Sequence, residues 1–336
     1  MTKFINHPVG VWNKPQGLEF ALFNRKDAAP PHGAQDNCAA DIIHSMLSRV
    51  SPPKRIAVTF HPGLAEAIQM AAAVTEFLQA HGVQVNLCAS LYDPELRQRL
   101  GSGEFELLVV LGGDGTMLRA SRLCASLGLP LLGINAGHFG FLYELGSDNW
   151  RSLLPLLLEG NYWQEHRMML RAEHHRRGEL LAAWDVLNEL VVCRGQIVRP
   201  IHLKASVDGS LMASYVADGL IAATPTGSTA YALAVGGPIM PPELRNILII
   251  PVAPHLSVDR AIILSESVKV TIEVNTAHEA VLSVDGQPPV AVLDGDTLIA
   301  FAGDHSVSFI RFQDASYFYR NLTKYMEQHP SMGELL

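Results

Sequence analysis

The chain of 336 residues is 48% hydrophobic and 17% charged, the balance of a globular protein with a sizeable core and not of a disordered one. A net charge of -8 argues against a general nucleic-acid binder, which needs a basic stripe, and no apolar run approaches the length of a membrane span. The four cysteines, Cys38, Cys88, Cys124 and Cys193, are scattered without a Cys-x-x-Cys pair, which favours reduced thiols in a cytoplasmic protein over a disulfide frame or a zinc knuckle.

Residues 1–53 read as an N-terminal extension to which no role is assigned. Leu18–Phe23 fits a strand, Asp41–Val50 a short helix, and Ser51-Pro52-Pro53 a boundary. From Arg55 the pattern sharpens: Ile56, Val58 and Phe60 alternate as a strand. Leu64–His81 has helical apolar spacing closed by Gly82, and Val83, Val85 and Leu87 make a second strand. Phe105–Val110 is a buried strand running into Leu111-Gly112-Gly113-Asp114-Gly115-Thr116, after which Leu118, Leu123 and Leu127 mark the inward face of a helix. Leu131–Ile134 is a fourth strand, followed by the glycine-rich Asn135–Leu142. Alternating strands and helices with short connections predict a parallel sheet covered by helices, a doubly wound α/β domain over 54–147.

Residues 148–160 fit a helix limited by Pro155 and Gly160. Period-two alternation then takes over, as in Ile201-x-Leu203-x-Ala205-x-Val207 and Val268-x-Val270-x-Ile272-x-Val274. The expectation for 148–311 is a β-rich, two-sheet sandwich-like domain, with hairpin turns at Asp208-Gly209, Asp285-Gly286, Asp294-Gly295 and Gly303-Asp304. His174-His175-Arg176-Arg177 reads as a solvated hairpin tip, because neighbouring strand residues point to opposite faces and cannot easily share a metal. Phe312–Met326 is amphipathic, and 312–336 is expected to fold back on the first domain.

Two stretches carry chemistry. In Gly112-Gly113-Asp114-Gly115-Thr116, three glycines surround one acid at a strand end that opens a helix. Such a turn lets backbone approach a ligand closely, and the helix start favours an anion, so a phosphate chain is the natural guest. In Thr224-Pro225-Thr226-Gly227-Ser228-Thr229-Ala230-Tyr231, preceded by Asp218-Gly219 and followed by Gly236-Gly237-Pro238, hydroxyls and amides can bind ribose, phosphate or a base edge. Tyr231 adds a stacking face there. Asn188-Glu189 interrupts an apolar stretch, where unpaired polar groups are costly if buried.

These residues occur in the order seen in NAD kinases, and the chain resembles that family over about residues 55–325. Pro251–Ser257, Leu264-Ser265-Glu266 and Asp285-Gly286-Gln287 continue the match. The first glycine motif is shared with diacylglycerol and sphingosine kinases; the Thr-Pro-Thr-Gly-Ser-Thr-Ala-Tyr run together with Asn-Glu is the specific part. The resemblance implies phosphorylation of the 2′-hydroxyl of the adenosine ribose of NAD to give NADP, using ATP or another phosphoryl donor and a divalent metal, Mg²⁺. By that analogy Asp114 faces the attacking hydroxyl, and Gly112, Gly113, Gly115 and Thr116 hold the donor phosphates. Phe141, Asn188, Glu189, Asp218, Thr226, Thr229, Ala230 and Tyr231 match positions that contact the dinucleotide, and no residue is assigned as a direct metal ligand. The family also implies a homo-oligomer, dimer or tetramer, with small-molecule nucleotides as its partners and neither nucleic acid nor membrane. Departures from the common pattern, at His138, Phe139, Tyr143, Glu144 and Ala234, leave two alternatives: a kinase of the same fold acting on another acceptor, and a non-catalytic dinucleotide-binding sensor. A Rossmann dehydrogenase is disfavoured, since no Gly-x-Gly-x-x-Gly opens a helix at the first strand.

Overall fold

The computed structural model describes residues 50–137, 140–255 and 259–328. The expected strand at Leu18–Phe23, nearly all of the expected helix from Asp41, and the departures His138 and Phe139 lie outside the described residues.

The first half alternates strand and helix as expected: β1 (Arg55–Phe60), α1 (Ala65–Ala80), β2 (Gln84–Ser90), α2 (Pro94–Gly101), β3 (Leu107–Gly112), α3 (Asp114–Ala125), β4 (Leu131–Asn135), a short β5 (Leu145–Gly146) and α4 (Trp150–Leu158). Strands β1 to β4 pair in parallel in the order β2-β1-β3-β4. Every residue of β3 and β4 is buried, the signature of strands covered on both faces. Helix α2 is an addition to the expected elements. Asp93 caps it by accepting from the Glu95 N–H at 2.9 Å, and Pro94 opens it, a start signal that the short, polar PELRQRLG sequence obscures.

The inward face of α3 is rotated from the leucine stripe, with Leu118 and Leu123 packing at the margin of the core. Met117, Ala120, Ser121 and Cys124 are buried, whereas Leu127 is 41% exposed. Small side chains let this helix lie close to the sheet, and that closeness fixes its rotation more strongly than the larger leucines do.

The second half is β-rich: β6 (Trp163–Arg176), β7 (Glu179–Val186), β8 (Glu189–Arg194), β9 (Ile201–Val207), β10 (Ser210–Ala217), β11 (Gly219–Ala223), a 3₁₀ turn (Thr226–Thr229), α5 (Tyr231–Ala234), β12 (Asn246–Val252), β13 (Ile262–Ser265), β14 (Val270–Asn275), β15 (Ala280–Val284), β16 (Val290–Val292) and β17 (Thr297–Arg311), closed by α6 (Tyr317–Gln328). One sheet has the order β13-β12-β11-β8-β15-β16; it packs on the antiparallel part of the large sheet, where β10-β9-β14-β17 continue into β4 and β6 pairs with β17 and β7. Alternating inward residues such as Leu203, Ala205, Ile272 and Val270 meet Leu190, Val192, Leu220 and Ile249 between them. The fold is thus a Rossmann-like parallel sheet followed by an antiparallel sandwich. Two long strands run through both: β17 pairs with β14 at Val270↔Ala300 and, further on, with β4 at Phe309↔Leu131.

Two hairpin expectations change. Gly303-Asp304 lies inside β17, where the register with β6 shifts between Ala302 and Ser306, so it is an irregularity in a continuous strand and not a turn. The tip between β6 and β7 is Arg177-Gly178, with φ of 52° and 82°. His174 is therefore not solvated: it is 3% exposed and its Nε2 lies 2.8 Å from Asp296 Oδ2. The alternation of faces does hold, since His175 turns instead to Glu173, at 2.9 Å.

The seam between the two halves is charged. The Arg311 side chain is buried; its Nε donates to Glu165 Oε2 at 2.9 Å and its Nη1 to Glu144 Oε2 at 3.4 Å. Arg167 Nε donates to the same Glu165 oxygen at 3.0 Å, and Tyr317 from α6 donates to Glu165 Oε1 at 2.7 Å. Burial alone would raise the Glu165 pKa, but Arg167 and Arg311 hold it down at about 2. Removing one partner from such a cluster leaves its carboxylates uncompensated. Arg311→Met is therefore expected to cost about 3–5 kcal/mol of stability, measured by denaturant unfolding.

Candidate functional site

Strand β3 ends in Gly112, Gly113 is the N-cap of α3 in extended backbone, and Asp114 is the first helical residue. Thr116 N–H closes the turn on the Gly113 carbonyl at 2.7 Å, and its side chain is buried. A side chain added at Gly113 or Gly115 would meet nothing within 4 Å; the space beside the turn is unclaimed by protein. Asp114 is solvent-accessible because it opens onto that space. Protein atoms crowd its other sides: a Cβ at Gly140 would lie 2.2 Å from its Oδ1, so glycine there is what lets the β4 loop close on the acid. Partial desolvation, opposed by the Arg167 guanidinium, pushes its pKa up to about 6.

The second stretch assembles around the ends of β8 and β11. Thr224 N–H donates to the Asn188 carbonyl at 2.9 Å and Thr224 Oγ1 to the Leu187 carbonyl at 2.5 Å. A Cβ at Gly227 would lie 2.1 Å from the Asn188 carbonyl oxygen, a backbone atom that cannot yield, so only glycine allows the 3₁₀ turn to press on this loop. Thr226 and Thr229 are buried within the turn, and Thr229 Oγ1 donates to the Thr226 carbonyl at 3.0 Å. Ala230 ends the turn and leads into Tyr231, which is 43% exposed at the start of α5. Asp218 pairs with Arg194 at 3.1 Å, and burial, helped by the nearby Cys193 and Asp218, raises the Tyr231 pKa.

Glu189 begins β8 and is buried. Its Oε2 has no hydrogen-bond partner among the described residues, while the Tyr231 N–H reaches the carboxylate. Burial, reinforced by nearby Asp285, pushes its pKa up to about 8, so Glu189 carries a proton at neutral pH and is able to donate a hydrogen bond. Asn188, Glu189, Asp218, Thr226, Thr229, Ala230 and Tyr231 are thus gathered into one region. Phe141 is set in an apolar cluster with Tyr317 and Phe318, its ring 5.7 Å from that of Phe318.

Asp285 joins the two regions; sequence reasoning read it as a turn residue and as part of the stretch that continues the family resemblance, without a contact assigned to it. One carboxylate oxygen accepts from Asn188 N–H at 2.8 Å and Glu189 N–H at 3.2 Å. The other accepts from Leu187 N–H at 3.0 Å and from Arg122 Nη1 at 3.2 Å. Arg122 lies two turns along α3 from Asp114, so this ion pair ties the glycine-turn helix to the Asn188-Glu189 loop. Beside this ion pair opens a cleft of about 390 Å³ lined by Gly113–Thr116, Arg119, Arg122, His61, Tyr92 and Asp285–Pro288. Nothing in the local sequence signals this pairing, because the partners are 163 residues apart.

The chain as a whole is similar to known proteins. Residues 56–162 match the family described as ATP-NAD kinase N-terminal domain, and residues 187–312 match the ATP-NAD kinase C-terminal domain. The NAD kinase of Chloroflexus aggregans (strain MD-66 / DSM 9485) is 34% identical over 269 residues, covering 80% of this chain and 97% of its own length. That of Heliobacterium modesticaldum is 36% identical over 281 residues, 81% of this chain and 98% of its own. Among solved structures, an NAD kinase from Archaeoglobus fulgidus in complex with ATP superposes with a TM-score of 0.63 at 25% identity, covering 82% of this chain and all of that one. Yeast NADH kinase complexed with NADH shares the fold, with a TM-score of 0.73 at 22% identity over 83% of this chain and 89% of that one.

The proton on Glu189 has a measurable consequence. Between the ordinary carboxylate range and about pH 8, the native state holds a proton that the unfolded chain has released, so this group makes the protein less stable as pH rises. Glu189→Gln removes that dependence. Its thermal midpoint relative to the parent is expected to climb steadily across that interval, and a flat difference would assign the proton elsewhere.

Proposed function

Because this chain belongs to the ATP-NAD kinase family, we propose that the cleft beside Asp114 is where it works. The enzyme phosphorylates NAD to NADP, with ATP as donor, the acceptor being the 2′-hydroxyl of the adenosine ribose. The observation that carries the assignment of residues is that one accessible carboxylate stands at an amide-rich helix start, tied through Arg122 and Asp285 to the polar region around Asn188, Glu189 and Tyr231.

In this reading, Gly112, Gly113, Gly115 and Thr116 hold the donor phosphates, since the positive end of the α3 dipole favours negative charge at this turn. Asn188, Glu189, Asp218, Thr226, Thr229, Ala230 and Tyr231 bind the dinucleotide, with Phe141 bordering it. Asp114 orients the ribose hydroxyl. As its oxygen bonds to the γ-phosphorus, the bond from that phosphorus to the β–γ bridging oxygen breaks, ADP departs, and the hydroxyl proton passes to the Asp114 carboxylate. The transition state is loose, so positioning matters more than strong basicity and the proton moves late.

The donor is proposed to arrive as its Mg²⁺ complex. Among the described residues no group of three or more His, Cys, Asp or Glu side chains could cage a metal, a donor set that suits an ion carried on substrate phosphates. When bound, Mg²⁺ supplies charge neutralisation on the transferring group. Exposed apolar residues on the sandwich, among them Leu181, Val198 and Leu211, support a homo-oligomer. No described helix is long and apolar enough to cross a membrane. The three free cysteines among the described residues support a reducing, cytoplasmic setting.

Purified protein with ATP, Mg²⁺ and NAD is expected to form NADP in a coupled dehydrogenase assay, and chelation should abolish turnover until Mg²⁺ is restored. Asp114→Asn should lower kcat by about 10²–10⁴-fold in a folded protein; near-normal turnover would remove Asp114 from the mechanism. The active form is the carboxylate, and its pKa lies at about 6. Thus kcat/KM should rise with pH through that value and level off above it, and the Asp114→Asn variant should lose this limb.

A further inference from the structure

Arg119 stands out on the wall of the cleft. Its guanidinium lies 4.4 Å from the centre of the Tyr92 ring, with His61 edge-on to the same ring at 6.3 Å. Among the described residues it has no carboxylate partner, whereas its neighbour on the same helix face, Arg122, is held by Asp285. Resting on a ring uses the face of the guanidinium and leaves its in-plane N–H donors free. Those donors border the same opening as the α3 amides.

We propose that Arg119 is a binding residue for the donor's polyphosphate, presented by Tyr92, and that it grips the phosphates that stay behind and not the one transferred. The proposal rests on the reading of the cleft as the donor site. Asp114 and Arg119 line the same cleft and are five residues apart on α3, about 7.5 Å along the axis, a separation that a triphosphate can span, so a donor whose terminal phosphorus faces Asp114 can lay its inner phosphates on Arg119. An arginine there recognises phosphate oxygens without reading the base. It therefore contributes affinity for nucleoside triphosphates as a class, and for the diphosphate product, with little effect on the acceptor.

The test is steady-state kinetics with each substrate varied, together with calorimetric binding of a non-hydrolysable ATP analogue and of ADP. Arg119→Ala is expected to raise KM for ATP about tenfold or more, to weaken ADP by a similar factor, and to leave KM for NAD within twofold. KM for GTP, where the parent uses it, should rise by the same factor as that for ATP. Arg119→Lys should fall between parent and Arg119→Ala. Tyr92→Phe keeps the ring face and should behave as the parent, whereas Tyr92→Leu should raise KM for ATP severalfold. An unchanged ATP KM and ADP affinity in folded Arg119→Ala, or an equal rise for NAD, would overturn the proposal. If the parent forms NADP and only the Arg119 expectation fails, the cleft assignment stands without this residue. If the parent binds the analogue equally well after Gly113→Val, which should fill the donor space, the cleft assignment itself fails and the proposal with it.

Discussion

The site depends on a single buried carboxylate. Asp285 adopts a left-handed backbone, with φ of 46°, a conformation Asp tolerates better than bulkier residues. From that position its two oxygens satisfy three consecutive amides, Leu187 to Glu189, and still reach Arg122 on α3. A chain segment carrying Asn188 and Glu189 is thereby held in one shape, and the glycine-turn helix is held against it. Without the carboxylate those amides would be buried unpaired, and each such group is costly. The ion pair gains from burial for the same reason: with the acid wholly covered, its charge is screened little by water.

That arrangement explains why two acids in one region behave differently. Asp114 opens onto the cleft and feels a cationic guanidinium, so it is ionised at neutral pH. Glu189 is buried and faces the negative charge of Asp285, so it is protonated. One is suited to accept a proton and the other to donate a hydrogen bond, a division produced by environment alone.

The charged seam serves the same end from behind. Arg167 binds Glu165 and donates from Nη2 to the Tyr317 hydroxyl at 2.8 Å, while its field reaches Asp114. The strands that join the parallel sheet to the sandwich thus carry both the stabilising ion cluster and a cation that favours the ionised form of Asp114. Fold and chemistry share side chains here, because β6 and β17 pass from one half of the molecule into the other.

The parallel α/β half, the β-rich half and both polar stretches were legible in the amino-acid order alone. Strand periodicity, glycines at strand ends and hydroxyl-rich turns are local signals, set by backbone sterics and by the alternation of side chains. The acid in the glycine turn and the buried Asn-Glu were legible for the same reason. What only the tertiary structure decided was which residues meet: Asp285 with Arg122, Arg167 with the neighbourhood of Asp114, His174 with Asp296, and Arg119 with Tyr92. It also set the rotation of α3, which puts Met117, Ala120, Ser121 and Cys124 at the centre of the buried face and Leu118 and Leu123 at its margin. These pairings join segments far apart in the chain, and their strength comes from burial and low local dielectric, which exist only once the sheets have packed.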